Sequence, residues 1–219
     1  MTFSTEFGNN IYKPVLEKVF FKPFSKPLAK LFAKANLSPN FVSLVGLLLM
    51  FSASLVVTIN FKNHLLVAAL LVYFSFLFDK IDGDLARLQG KAGSLGQYFE
   101  GFLDLFGDMS MAIALALFSG FDNIILVALT VAAPLIFYYN HLSSSLYLNL
   151  LPSTYRESQN SNVLNVLKVL FSYNRVRHEL LFIVVLLTGK ISYFFYIMPL
   201  LVIYSVALYT RTLWREYHK

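Results

Sequence analysis

The chain has 219 residues, of which 57% are hydrophobic and only 14% are charged. About a quarter of the residues of a soluble globular domain are charged, so this composition excludes an ordinary soluble protein and indicates a membrane protein. The absence of cysteine excludes disulfides, thiolate metal sites and a cysteine nucleophile. The net charge is +6, but the basic residues lie beside apolar stretches. We therefore expect an anionic membrane surface as partner and no nucleic acid.

Residues 1–35 are predicted to be a cytoplasmic tail that continues into an amphipathic segment lying on the membrane. Between Ile11 and Ala35, apolar residues are interleaved with lysines four positions apart, and three prolines divide the segment into short pieces. A flexible cytosolic tail is the alternative interpretation.

Residues 36–219 are predicted to form one membrane domain of six transmembrane helices, so the expected fold is all-α. Six apolar segments are recognisable by their length, although the fifth is short. The predicted spans are Phe41–Asn60, His64–Leu88, Gly96–Gly120, Asn123–Tyr147, Arg177–Gly189 and Ile191–Leu213.

The distribution of basic residues predicts the orientation of these spans. With the N-terminus in the cytoplasm, 16 of the 18 Lys and Arg residues lie on the cytoplasmic side, and only Lys62 and Lys190 lie outside. Such an imbalance is typical of the positive-inside rule. At the cytoplasmic ends of spans 2 and 3, a substrate can therefore come from the cytosol, from the inner leaflet of the membrane, or from both.

Four carboxylates lie within the second and third predicted spans. Asp79 and Asp82 are three residues apart, and Glu100 and Asp104 are four apart, so each pair projects from one face of its helix. If the two helices are neighbours, the pairs form a cage of oxygen ligands. Ionised carboxylates at the edge of a bilayer are costly unless they are paired or bind a metal. Oxygen ligands favour a hard cation, Mg²⁺ or Mn²⁺, beside phosphates.

Small and basic residues follow the first carboxylate pair. Gly83 and Ala86 leave one face of the helix open to a ligand, and Arg87 offers a fork of donors to a phosphate. The pattern therefore combines a predicted metal site, an uncrowded helix surface and an arginine that can bind a phosphate.

This segment resembles the signature of the CDP-alcohol phosphatidyltransferase family. The signature is Asp-x2-Asp-Gly-x2-Ala-Arg, then eight or nine residues, then Gly-x3-Asp-x3-Asp. The third acidic position is Glu100, where the family usually has Asp. A register that uses Asp104 and Asp108 is an alternative with a spacing the family does not have. The matching residues are Asp79, Asp82, Gly83, Ala86, Arg87, Gly96 and Asp104.

The resemblance implies an enzyme that transfers a substituted phosphate group from a CDP-alcohol to the hydroxyl of a polar acceptor from the cytosol, releasing CMP. The expected donor is the lipid CDP-diacylglycerol. Two Mg²⁺ or Mn²⁺ ions are expected, and Asp104 is also the family's proposed general base. The implied metal ligands are Asp79, Asp82, Glu100 and Asp104. The implied CDP contacts are Gly83, Ala86, Arg87, Pro39, Asn40 and Ser43.

A basic group at the start of the fifth span suggests the acceptor. Arg175 and Arg177, followed by His178 and Glu179, are predicted to bind the phosphate of a polyol phosphate such as glycerol 3-phosphate or an inositol phosphate. The alternative is ordinary positive-inside flanking by arginines. Other donors or acceptors of the family (serine, an amino-alcohol or a soluble CDP-polyol) also remain open.

Functions of other classes are a cation transporter or channel with an intramembrane carboxylate site, and a non-catalytic scaffold. The clustering of the carboxylates at one side argues against transport, and the otherwise intact motif argues against a scaffold. The expected location is a bacterial inner membrane, among lipids, with the active site facing the cytoplasm; a homodimer is also allowed. Asp84 is expected to be solvated, Lys80 to lie near lipid phosphates, and Asp108 to support the site or pair within the bundle.

Overall fold

The computed structural model describes residues 19–59, 61–136 and 175–217, and these residues form seven helices and no strand. This confirms the all-α fold for the described part of the chain. The helices are α1 (Lys22–Lys34), α2 (Pro39–Thr58), α3 (His64–Leu88), α4 (Ser94–Ser119), α5 (Ile124–Ile136), α6 (Arg175–Thr188) and α7 (Ser192–Tyr217).

Three helices are long and apolar enough to cross a membrane. They cover Pro39–Thr58, His64–Leu88 and Tyr98–Ser119, in agreement with the first three predicted spans. The apolar parts of the other three large helices are shorter, at Ile124–Ile136, His178–Thr188 and Ser192–Tyr204. The predicted fourth span extends to Tyr147, beyond the described residues. An integral membrane protein therefore agrees with the structure, and the count of six spans stays a prediction.

Local signals at the helix ends explain where the first helices begin and end. Ser38 Oγ accepts a hydrogen bond from the Phe41 amide at 3.2 Å, and Pro39 occupies the first turn of α2. Gly90 follows the end of α3 with a φ of +66°, a left-handed conformation that glycine adopts at little cost. The chain then turns into α4, so that the acidic ends of α3 and α4 lie on the same side of the bundle.

Small residues allow α2 to pack closely between α3 and α4. A Cβ atom at Gly46 would lie 3.3 Å from the Ser75 carbonyl oxygen, and Ser75 Oγ donates to the Gly46 carbonyl at 2.8 Å. On the other side, a Cβ at Gly107 would lie 3.2 Å from Met50 Cγ. This close packing brings the first turns of α2 next to the carboxylates of α3.

Helix α1 packs on α3 and has an amphipathic surface. The Phe21 ring stacks on Tyr73 with centroids 5.5 Å apart, and Tyr73 OH donates to the Phe20 carbonyl at 3.1 Å. Its outer side exposes Phe24, which is 54% exposed, and Leu31. An amphipathic helix thus exists within the predicted interfacial segment; its position on a membrane stays a prediction, and residues 1–18 lie outside the described part of the chain.

Candidate active site

A cavity between α2, α3 and α4 contains most of the acidic residues that the sequence singled out. Asp79 and Asp82 line it from α3, and Asp104 and Asp108 line it from α4. Its remaining wall includes Ser43 of α2 and several apolar side chains. The apolar residues are Leu47, Met50, Phe76 and Leu103.

Three carboxylates form a cluster in which a metal ion fits. One oxygen each of Asp79, Asp82 and Glu100 lies within 4.8 Å of the others, and the two aspartates are buried. Buried like charges at such short range repel one another, so the cluster favours the binding of a cation. An oxygen-only donor set fits Mg²⁺ or Mn²⁺. Asp104 lines the same cavity one helical turn beyond Glu100, outside this cluster of three.

Ser43 connects α2 to the carboxylate cluster. Its hydroxyl lies 2.5 Å from Asp82 Oδ2 and 3.1 Å from the Pro39 carbonyl oxygen. A hydroxyl donating to a carboxylate at this distance makes a strong, charge-assisted hydrogen bond. The two other residues predicted on this helix to contact CDP thus lie within one turn of Ser43, and Asn40 is exposed to solvent.

Arg87 folds back along α3 over Gly83. Its guanidinium nitrogens lie 3.5 and 3.6 Å from the position that a Cβ atom of Gly83 would take. Arg87 Nη2 donates to Asp84 Oδ1 at 2.6 Å, while 57% of the arginine side chain remains exposed. With Ala86 half-buried beside it, the motif presents a guanidinium over an open helix surface.

The expectation that Asp84 is solvated is wrong. Asp84 is only 8% exposed because α1 covers it. Ser25 Oγ donates to Asp84 Oδ2 at 2.7 Å, and Lys22 Nζ lies 3.0 Å from Oδ1. This contact joins residues 59 and 62 positions apart in the sequence, and no local pattern indicates it.

Lys80 also differs from expectation, because it faces other protein side chains rather than lipid phosphates. Its ammonium lies 2.6 Å from Asp79 Oδ2 and 3.9 Å from Glu179 Oε1. Glu179 has no exposed surface. Lys80 therefore bridges the carboxylate cluster and the first turns of α6, a role that sequence analysis missed.

Asp108 pairs with His178 inside the bundle, as one of the two alternatives for Asp108 predicted. His178 Nδ1 lies 3.2 Å from Asp108 Oδ2. The imidazole is buried between Phe182, with centroids 4.3 Å apart, and the nearly parallel ring of Phe194. His178 thus lies in the packed interior, not in an open anion site with the neighbouring arginines.

Arg175 and Arg177 lie in the first turn of α6, which begins at Arg175. Their side chains lie outside the part of the molecule that the structure describes. Their predicted contact with an acceptor phosphate is therefore untested, although Glu179 and Lys80 place the beginning of this helix beside the carboxylate cluster.

The described helices and the cavity indicate a class of protein: a helical membrane protein with an acidic, metal-compatible site between its helices. The CDP-alcohol phosphatidyltransferase family model matches residues 36–214, most of the chain. The protein belongs to the CDP-alcohol phosphatidyltransferase family.

Solved structures give the same fold. The chain is similar to Mycobacterium tuberculosis phosphatidylinositol phosphate synthase (PgsA1) in complex with manganese and citrate, with a TM-score of 0.59, 16% identity, and coverage of 87% of this chain and 88% of that one. It is also similar to PgsA1 with CDP-DAG bound, with a TM-score of 0.54, 18% identity, and coverage of 87% and 92%. A search of curated proteins finds no match.

Proposed function

We propose that the protein is a metal-dependent transferase that moves a phosphatidyl group from CDP-diacylglycerol to the hydroxyl of a polyol phosphate, releasing CMP. The acceptor class comprises glycerol 3-phosphate and inositol phosphates. Two observations support this proposal: membership of the family, and the cluster of Asp79, Asp82 and Glu100, whose oxygens lie within 4.8 Å of one another. Supporting observations are that PgsA1, a protein of the same fold, has been solved with CDP-DAG and with manganese.

In this proposal Asp79, Asp82, Glu100 and Asp104 would hold two Mg²⁺ or Mn²⁺ ions. Bound there, the ions would neutralise the diphosphate and polarise its phosphorus–oxygen bonds. Asp104 accepts the proton of the acceptor hydroxyl as that oxygen attacks the phosphorus bearing the lipid. The bond from this phosphorus to the oxygen of CMP breaks, and CMP leaves with the bonding electrons.

The remaining motif residues position the donor. The Arg87 guanidinium over Gly83 suits a diphosphate, because its planar fork can donate two parallel hydrogen bonds. Ala86 keeps the adjacent surface open, and Ser43 fixes the orientation of Asp82. Pro39 and Asn40, at the start of α2, are proposed to border the cytidine.

The acceptor phosphate is proposed to bind Arg175 and Arg177. The position of α6 supports this proposal, since Glu179, one turn further, lies 3.9 Å from Lys80, which pairs with Asp79. Because Arg87 is already assigned to the donor diphosphate, two further cations on α6 would suit a second anion. The site is proposed to lie in a bacterial inner membrane and to face the cytoplasm, where a polyol phosphate is dissolved.

The decisive experiment measures CMP release by the purified protein in lipid nanodiscs containing CDP-diacylglycerol. The acceptor panel contains glycerol 3-phosphate, inositol phosphate, serine, ethanolamine and uncharged polyols, each with Mg²⁺, Mn²⁺ or EDTA. We expect metal-dependent CMP release with phosphorylated polyols only. Asp82→Asn should abolish it, whereas Asp122→Asn, at an exposed position, should not. Metal-independent release, or none with any acceptor, would contradict the proposed function.

The acceptor assignment has its own test. Arg175→Ala or Arg177→Ala should raise the acceptor KM about tenfold or more while the donor KM changes little, because a hydrogen bond to a charged group contributes about 1.5–3 kcal/mol. Unchanged acceptor KM in both variants would identify the arginines as positive-inside flanking residues.

A further inference from the structure

Asp84 lies next to Asp82 and Gly83 in the motif, but it faces α1 instead of the cavity. Its carboxylate accepts a hydrogen bond from Ser25 Oγ at 2.7 Å and lies 3.0 Å from Lys22 Nζ. Ser25 is fully buried, and Asp84 nearly so. Because buried polar groups are costly unless they keep their partners, the docking of α1 fixes the position of the Asp84 carboxylate.

The same carboxylate holds Arg87. Asp84 Oδ1 accepts from Arg87 Nη2 at 2.6 Å and keeps the guanidinium over Gly83. More than half of the Arg87 side chain is exposed, so without this partner it would adopt many rotamers. A contact with α1 thus decides where an exposed cation on α3 lies.

We propose that Asp84 is a positioning residue for donor binding: supported by Ser25 and Lys22 of α1, it holds the Arg87 guanidinium where the diphosphate of the CDP-alcohol binds. This inference rests on the proposed function, because it uses Arg87 as a donor contact. It gives α1 a part in donor recognition, although no residue of α1 lines the cavity within the described part of the chain. It also gives Asp84 a role different from that of the neighbouring carboxylates, since Asp84 is not in the metal-compatible cluster.

Ser25→Ala tests the proposal because it removes a hydroxyl that touches Asp84 and leaves Arg87 itself unchanged. It should lower kcat/KM for CDP-diacylglycerol about three- to tenfold, the usual effect of losing one hydrogen bond, and leave the acceptor KM unchanged. Asp84→Asn should lower it further. The matched control is Tyr73→Phe, which removes a hydrogen bond between α3 and the residues just before α1, that to the Phe20 carbonyl, away from Asp84. Its kcat/KM for the donor should stay at the wild-type value.

A double-mutant cycle shows whether the effect passes through Arg87. In an Arg87→Ala background, Ser25→Ala should cause no further loss of donor kcat/KM. Binding of free CDP, measured by calorimetry, should weaken in the Ser25 single variant, which gives a readout besides turnover. If Ser25→Ala does not fold, Lys22→Met removes the second α1 partner of the carboxylate and serves in its place.

Two results would overturn the inference. One is an equal loss of donor kcat/KM in Ser25→Ala and Tyr73→Phe, which would assign α1 a purely structural role. The other is a full effect of Ser25→Ala in the Arg87→Ala background. Failure of the proposed function is distinguishable, because it would appear in the wild-type protein itself, as metal-independent CMP release or as no CMP release with any acceptor.

Discussion

Ser43→Ala isolates the contribution of one hydrogen bond to the proposed metal site. The Ser43 hydroxyl lies 2.5 Å from Asp82 Oδ2, so its removal takes a charge-assisted donor from a carboxylate that is 3% exposed. Hydrogen bonds to charged groups contribute about 1.5–3 kcal/mol. Loss of a group that orients a metal ligand typically lowers metal affinity or activity about 10- to 100-fold. We therefore expect the Mg²⁺ concentration for half-maximal CMP release to rise at least about tenfold.

The assay is a titration of CMP release with Mg²⁺, supported by Mn²⁺ binding followed by electron paramagnetic resonance. Ser52→Ala is the matched control, because Ser52 lies on the same helix, is exposed and donates only to its own helix at the Leu48 carbonyl, 2.8 Å away. Ser43→Thr keeps a hydroxyl and should restore much of the metal affinity. A Ser43→Ala variant with wild-type metal dependence would refute the role of Asp82 as an oriented ligand. An increase in donor KM alone would instead make Ser43 a CDP contact.

Three further outcomes follow from the geometry. Glu100→Asp should retain measurable CMP release and Glu100→Gln should lose it; equal activity would remove this residue from the metal site. Gly46→Ala should destabilise the protein by about 1–3 kcal/mol, because the new Cβ would lie 3.3 Å from a carbonyl oxygen of α3. A lower melting temperature than that of Gly93→Ala, where nothing lies within 4 Å, would confirm it. His178→Ala should cost about 1–3 kcal/mol by taking a partner from Asp108; an unchanged melting temperature would contradict this pairing.

The parts of the site that sequence predicted are those encoded by local spacing. Asp79 and Asp82 share a helix face because they are three residues apart, and the composition of α2 and α3 marks them as spans. Glu100 approaches both aspartates at the acidic ends of α3 and α4, as predicted. The prediction assumed that these consecutive helices are direct neighbours, whereas α2 packs between them. Family membership, now shown over residues 36–214, rested on the same local pattern.

The parts that sequence did not predict depend on contacts between distant helices. Asp84 looks like an ordinary polar residue at a helix end, and only the docking of α1 buries it. Lys80 fits the positive-inside pattern, but its ammonium lies beside Asp79 and within 3.9 Å of Glu179, which is 99 residues later in the sequence. The positive-inside rule uses only the number of basic residues on each side of a membrane. It gives no information about which acidic and basic side chains face each other within a helix bundle.

These long-range contacts change what an intact motif means for function. Three carboxylates of α3 are each approached from another helix: Asp82 by Ser43 of α2, Asp84 by Ser25 of α1, and Asp79 through Lys80 by Glu179 of α6. The motif supplies the acids, but their orientation depends on segments before and far after it. Because a metal site is effective only when its ligands are held to within about 0.5 Å, the proposed metal site depends on these contacts to Asp79 and Asp82 as well as on the motif. The docking of α2 and α6 on α3 supports these two carboxylates, and the docking of α1 supports Asp84 beside Arg87.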